Sequence, residues 1–214
     1  MSNKYNALSP ASREVLKGFF VLEGIDGSGT TTQLRRLESR AKEQSFSLRA
    51  DCEPTGHPIG KFIRRVLRHE VNADPRVLAP LFAADRRQHL DGSHGVREAL
   101  NSGQVVVSDR YWFSSMAYQS LDLPWDEVWQ MNAMFPFPEA LFWLDTPVEE
   151  AQDRIAGRGQ PRERFEDRES QDRVAQGYGR VLAQSEDQGL EIIRLDGRCS
   201  IENLTDSIWA RICR

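Results

Sequence analysis

The sequence has few cysteines, no long apolar run and no excess of basic charge, and each lack excludes something. Cys52, Cys199 and Cys213 are odd in number and widely spaced, which fits neither a disulfide framework nor a zinc site. A reducing, cytoplasmic setting is expected from this. No stretch approaches the ~20 apolar residues that span a bilayer, and Met1 to Lys17 lacks the apolar core of a secretory signal, so no membrane partner is expected. The net charge of −4 is not the basic footprint of a general nucleic-acid binder, and no stable nucleic-acid partner is expected. Any anion site must then be a local cluster of arginines and backbone N–H groups. Internal repeats, low-complexity tracts and a domain linker are missing too.

What is present is strand-helix alternation in a chain long enough for one substantial α/β domain. Residues 1–17 read as a flexible extension and 18–214 as a single domain. Gly18–Glu23 is a near-continuous apolar run, suited to a parallel strand buried on both faces. Leu34, Leu37 and Ala41 then recur at helical spacing. Ser47–Asp51 reads as a strand, Ile59–Arg68 as a short helix, and Asp74–Leu100 as a long helical region, interrupted or started near Pro75 and bent around Pro80. Val105–Ser108 is the next buried strand, ending at Asp109-Arg110. Two helical stretches follow, split by Pro124 and closed by Pro136 and Pro138. Ala140–Asp145 and Glu191–Leu195 read as strands, with helices over Pro147–Gly157, from Glu166 to about Gln184, and over Ile201–Ile212. The pattern predicts a doubly wound parallel sheet with ligands at the carboxyl ends of its strands.

The first strand feeds Gly24-Ile25-Asp26-Gly27-Ser28-Gly29-Thr30-Thr31-Thr32. This satisfies the phosphate-binding pattern Gly-x-x-x-x-Gly-Lys-[Ser/Thr] except that Thr30 stands at the lysine position. Gly27 and Gly29 permit backbone angles that turn N–H groups inward, and the following helix adds its positive end. Gly24, Asp26, Gly27, Ser28, Gly29, Thr30, Thr31 and Thr32 are thus the expected ATP phosphate cradle, with the Thr31 hydroxyl placed for Mg²⁺.

Four further segments carry a resemblance: Glu53-Pro54-Thr55-Gly56 with Gly60 to Arg64, Leu81-Phe82-Ala83-Ala84-Asp85-Arg86-Arg87-Gln88-His89, Ser108-Asp109-Arg110-Tyr111 through Ser114-Ser115-Met116-Ala117-Tyr118-Gln119, and the basic segment Arg158–Glu166. In order and spacing these resemble the motifs of thymidylate kinases, from about residue 18 to the C-terminus. The resemblance implies a P-loop kinase fold, with five parallel strands in the order 2-3-1-4-5, helices on both faces and a mobile lid at about 157–166. It also implies ATP and dTMP as substrates, Mg²⁺ as cofactor and a homodimer.

By the same resemblance Asp26 holds the sugar 3′-hydroxyl and Tyr118 sits where a 2′-hydroxyl would clash. Phe82 stacks on the base while Arg86 reaches its carbonyl edge, the two sharing a helix face. Ser115 and Gln119 also share a face, with Gln119 on the base's polar edge. Arg64 and Arg110 suit the acceptor phosphate and the transferring group, because a guanidinium meets phosphate oxygens bidentately. Asp109 is a Mg²⁺ ligand, directly or through water, and Glu53 organises the acceptor side. Two positions depart from the family: Glu163 replaces the usual lid aspartate, and the glycine-rich segment after Tyr118-Gln119 is missing.

The missing lysine needs a substitute. A unit charge ~4 Å away at an effective dielectric of ~20 is worth about 4 kcal/mol, or roughly a thousandfold in rate. Thr30 offers one neutral hydrogen bond. Family members without a P-loop arginine supply this charge from the lid, and Ser28 marks this chain as that type, which points to Arg158 or Arg162. Slow turnover, nucleotide binding without turnover, and deoxynucleoside kinase activity are the alternatives; the acceptor-side set favours the active monophosphate kinase.

Overall fold

A computed structural model describes residues 13–159, 161 and 163–214. Strands β1 (Val15–Glu23), β2 (Leu48–Cys52), β3 (Val105–Asp109), β4 (Phe137–Asp145) and β5 (Ile192–Asp196) form one sheet in the order β2-β3-β1-β4-β5, and every pairing is parallel. The helices are α1 (Thr30–Glu43), α2 (Pro58–Leu67), α3 (Pro75–Asp91), α4 (Val96–Asn101), α5 (Trp112–Gln119), α6 (Trp125–Asn132), α7 (Val148–Ala156), α8 (Arg168–Glu186) and α9 (Ile201–Ile212).

Because side chains alternate along a strand, β1 serves two cores at once. Phe19 and Val21 pack with residues of α3 to α8, while Phe20 and Leu22 pack with Leu34 and Leu37 of α1 and Ile208 and Ile212 of α9. The central strand is therefore apolar on both faces, as its sequence required. No helix among the described residues is long and apolar enough to cross a membrane.

Three boundaries differ from the sequence reading. Strand β1 begins at Val15 rather than Gly18, because Leu16 is buried and the Glu14 carbonyl accepts from the Phe137 amide at 2.7 Å. Strand β4 correspondingly starts at Phe137 and takes in Pro138. A register shift between Leu16 and Phe20 sits beside that proline, the kind of ladder irregularity that tolerates a missing N–H. The third difference is the long helix expected over Asp74–Leu100, which is two helices, α3 and α4. Gly95 turns the corner between them: a Cβ there would lie 2.7 Å from the carbonyl oxygens of Leu90 and Gly92. Pro80 lies inside α3 without ending it.

Candidate active site

The carboxyl ends of β1, β2 and β3 converge on two adjoining cavities. One, of about 810 Å³, is lined by the glycine-rich loop and by the segments after α7 and β5. The other, of about 460 Å³, lies between the ends of β2 and β3, helices α2, α3 and α5, and residues 163–166. Asp26, Thr31, Arg64 and Arg110 line both, so they mark the boundary.

In the first cavity the cradle forms as its glycines dictate. Gly27 has φ 87°, and a Cβ on it would collide with the Ala151 carbonyl of α7. Gly29 caps α1 at φ 102° without a side-chain hydrogen bond, so the first-turn N–H groups face the cavity rather than a cap. Asp26 to Thr32 all line this cavity; Gly24 lies behind them, its carbonyl accepting from Arg110 Nη1 at 3.1 Å. Thr31 Oγ1 donates to Asp109 Oδ2 at 2.5 Å, and Asp109 Oδ1 is buried without a hydrogen-bond partner. An unsatisfied carboxylate oxygen beside a hydroxyl is a hard-oxygen donor set that suits Mg²⁺, an ion usually held by one or two protein oxygens plus substrate phosphates. In keeping with this, no group of three or more His, Cys, Asp or Glu side chains among the described residues could hold a metal by itself.

Arg110 is the most heavily constrained side chain of the site. Its backbone has φ 74°, a left-handed conformation costly to a non-glycine residue and concentrated at functional positions. Its Nη2 donates to Asp26 Oδ1 at 2.5 Å, and its Nη1 reaches Ser114 Oγ at 3.2 Å and Tyr178 Oη at 3.1 Å. Burial alone would lower its pKa, but the Tyr118 and Tyr178 hydroxyls and the Asp26 and Asp109 carboxylates raise it well above the usual value.

Beneath Arg110 lies Glu23, the last residue of β1 and fully buried. It accepts from the Tyr111 amide at 2.8 Å and from the Ser114 and Tyr178 hydroxyls at 2.7 Å each. Burial pushes its pKa up to about 7 against the opposing pull of Arg110 and these donors. On the other side of Asp26, the buried Gln171 amide donates to Asp26 Oδ2 at 3.0 Å and to the Phe165 carbonyl at 2.7 Å, and accepts from the Asp26 amide at 3.0 Å. One α8 side chain thus ties the phosphate loop to the segment that leads out of the lid.

The second cavity is lined by every residue expected on the acceptor side: Asp26, Glu53, Arg64, Phe82, Arg86, Arg110, Ser115, Tyr118 and Gln119. The buried Gln119 Oε1 and Tyr118 Oη have no hydrogen-bond partner. Arg86 differs from the open donor that the sequence suggested. It is 1% exposed, with Nε on Glu53 Oε2 at 2.8 Å, Nη1 on Asn132 Oδ1 at 2.6 Å and Nη2 on Ser115 Oγ at 3.0 Å. These bonds occupy three of its five N–H groups and fix the plane of the fork.

Glu53 is anchored in turn by His89 Nδ1 at 2.9 Å, while His89 Nε2 meets Asp51 Oδ2 at 3.0 Å. Burial would lower the His89 pKa, yet hydrogen bonds and charge from Asp51 and Glu53 raise it to about 9. Asp85 accepts from the Thr55 amide at 2.7 Å and hydroxyl at 2.6 Å, which pins the loop carrying Glu53. Arg64 donates to the Pro54 carbonyl on the same loop.

The two described lid arginines are paired within the protein. Arg158 Nη1 meets Glu166 Oε1 at 3.1 Å, Arg164 Nη2 meets Asp122 Oδ2 at 2.8 Å, and the Arg164 amide donates to the Leu67 carbonyl of α2 at 2.9 Å. Arg162 lies outside the described residues. Glu23, Gln171, Asn132, Asp85 and His89 received no role from the sequence. Asp85 and His89 stand in a segment that carries the family resemblance, and Glu23 left a local signal, a carboxylate closing an otherwise apolar buried strand.

The thymidylate kinase family model matches residues 22–208. The chain belongs to the thymidylate kinase family. Among its relatives, a protein named putative thymidylate kinase from Treponema pallidum is 38% identical over 200 residues, covering 91% of this chain and 94% of the relative. A probable thymidylate kinase from Pyrococcus horikoshii is 41% identical over 153 residues, 67% of this chain and 73% of its own. The thymidylate kinase of Leptospira borgpetersenii is 34% identical over 183 residues, 84% and 85% of the two chains. The family match spans the glycine-rich loop, the acceptor segments, the lid and the first two thirds of α9.

Proposed function

We propose that this thymidylate kinase family member transfers the γ-phosphoryl group of ATP to dTMP, giving dTDP for dTTP synthesis. The observation that carries the reading is the convergence of acceptor residues from four separate segments on one cavity that opens onto the phosphate loop. Phosphoryl transfer asks the protein mainly for in-line positioning and charge neutralisation, and the two cavities meet at Thr31, beside Asp109, and at the arginines Arg35, Arg64 and Arg110.

In this reading Gly24 to Thr32 cradle the ATP phosphates. Thr31 and Asp109 would hold Mg²⁺, which when bound neutralises charge on the donor phosphates. Arg64 and Arg110 take the acceptor phosphate and the group in transit, and Asp26 takes the sugar 3′-hydroxyl. Phe82 stacks on thymine, with Arg86 and Gln119 on its polar edge, Ser115 and Glu53 fixing Arg86, and Tyr118 against the sugar. Lid closure brings Arg158 and Arg162 to the donor once Arg158 leaves Glu166. The protein works as a cytoplasmic homodimer, the three free cysteines suiting a reducing compartment.

A coupled assay with ATP and dTMP, dUMP, dCMP, dGMP or thymidine as acceptor tests the assignment. Preferential turnover of dTMP is expected. Preference for thymidine would make the protein a nucleoside kinase, and calorimetric binding of dTMP with no turnover would make it a nucleotide-binding regulator.

A further inference from the structure

Thr30 leaves the phosphate cradle without its usual fixed charge, and no lysine lines either cavity. Among the described residues, five arginines line the donor cavity: Arg35, Arg64, Arg110, Arg154 and Arg158. Four of them are bonded to the protein. Arg64 is held by Pro54, Arg110 by Asp26, Arg154 by Glu150 and by the Gly197 carbonyl, and Arg158 by Glu166. Arg35 alone has no hydrogen-bond or ion-pair partner among the described residues. It also lines both cavities, so it borders the path between donor and acceptor.

We propose that Arg35 supplies the charge a lysine at position 30 would have given, binding the oxygens of the phosphoryl group in transit between ATP and dTMP. Arg35 follows Thr31 by four residues, so the two lie on one face of α1. Side chains on a helix lean toward its N-terminus and cover the preceding turn. The Arg35 guanidinium is thereby aimed back over Thr31 and its hydrogen bond to Asp109, toward the mouth of the cradle. Its base is rigid, because Leu34 beside it and Leu37 a turn further on are buried in the core between α1 and the sheet.

That rigidity separates it from the lid. Arg158 must first leave its ion pair with Glu166, whereas the exposed Arg35 side chain has no partner to give up among the described residues and reaches both cavities from a fixed helix, so its charge is available to phosphate oxygens without a competing bond. In the reaction the bond between the γ-phosphorus and the β,γ-bridging oxygen breaks, its electron pair staying with ADP. A phosphate oxygen of dTMP forms the new P–O bond, and Arg35 neutralises the oxygens of the group between them without exchanging a proton.

The inference rests on the function proposed above, and one set of full-length variants separates the two. Arg35→Ala is expected to lower kcat about 100-fold or more, with KM for dTMP within about threefold of the parent. Its neighbour Arg36, exposed and paired with Glu202, controls for net charge: Arg36→Ala is expected to keep parental kcat. Adding Thr30→Lys to Arg35→Ala is expected to restore kcat at least about tenfold, a rescue that a damaged helix would not show. A parental kcat in Arg35→Ala, or a loss that Thr30→Lys leaves untouched, overturns the inference. A parent protein that does not phosphorylate dTMP overturns the proposed function instead.

Discussion

The two cavities share Asp26, Thr31, Arg35, Arg64, Arg110, Glu163 and Glu166 but are walled in opposite ways. On the acceptor side the Arg86 and Glu53 side chains are 1% and 4% exposed and sit in a closed set of bonds with Ser115, Asn132 and His89. On the donor side the Arg154 and Arg158 side chains are 36% and 47% exposed, each paired with an acid on its own helix or lid. Breaking a buried pair strands a charge in low dielectric and costs about 3–5 kcal/mol, while an exposed pair is worth about 0–1 kcal/mol. The acceptor wall is therefore held in one arrangement, whereas on the donor side the Arg154–Glu150 pair can exchange partners at little cost.

The largest expected effect comes where the walls meet. Arg110→Ala removes the most buried of the cations that line both cavities and leaves Asp26 without its shortest partner, so kcat/KM for dTMP should fall about a thousandfold or more. Steady-state kinetics check this, and activity within about tenfold of the parent would make Arg110 a purely structural residue.

Next, Arg86→Met should destabilise the protein by about 3–5 kcal/mol, because Glu53 stays buried after losing its guanidinium. Arg158→Met should lose less, about 1–2 kcal/mol, because Glu166 is buried but keeps a hydrogen bond from the Glu163 amide. Comparing urea midpoints of the two variants tests the contrast directly; equal losses would erase it.

The pH dependence of stability sharpens the same division. The His89 pKa is raised from 6.5 to about 9 in the folded protein, so its stabilising contribution is complete below 6.5 and is lost as pH rises through 9. Glu23, raised from 4.5 to about 7, also favours the folded state at low pH, but its contribution is lost as pH rises through 7 and is nearly gone by about pH 8. Between pH 7 and 9 the parental Tm should therefore fall on account of His89, and His89→Gln should flatten that slope. A parallel slope in the variant would remove His89 from the explanation.

The smallest effect is expected at Arg68–Glu163, 3.3 Å apart with both side chains about half exposed, which ties α2 to the lid. Arg68→Ala should change stability by under about 0.5 kcal/mol in calorimetry, and any larger loss would mean the lid contributes to the fold.

The strands β2, β3 and β5 and the helices α7 and α9 fall within a residue or so of where their patterns put them, since apolar period and flanking turns act locally. The corner at Gly92 to Gly95 was not legible: helical period runs through it, and only the approach of Leu90 and Gly92 carbonyls shows why a side chain is refused. The early start of β1 and β4 was hidden for a different reason. Polar Glu14 and Lys17 and the Pro138 ring argue against strand locally, and pairing between the two segments overrides them.

The candidate site divides along the same line. Loop and acceptor segments announce themselves because phosphate cradles need glycine at fixed intervals and because residues four apart share a helix face. The supporting atoms do not. Tyr178 meets Glu23 across 155 positions, Gln171 meets Asp26 across 145, and His89 meets Glu53 across 36. The sequence by itself determined the order of elements, the phosphate loop with its missing lysine, and the residues that line the acceptor cavity. Only the tertiary structure decided which carboxylates lie beneath Arg110 and Arg86, which lid arginine is already paired, and that Arg35 is not. Buried hydrogen bonds are satisfied by whatever side chain the packed fold brings within about 3 Å, and that choice leaves no periodicity to read.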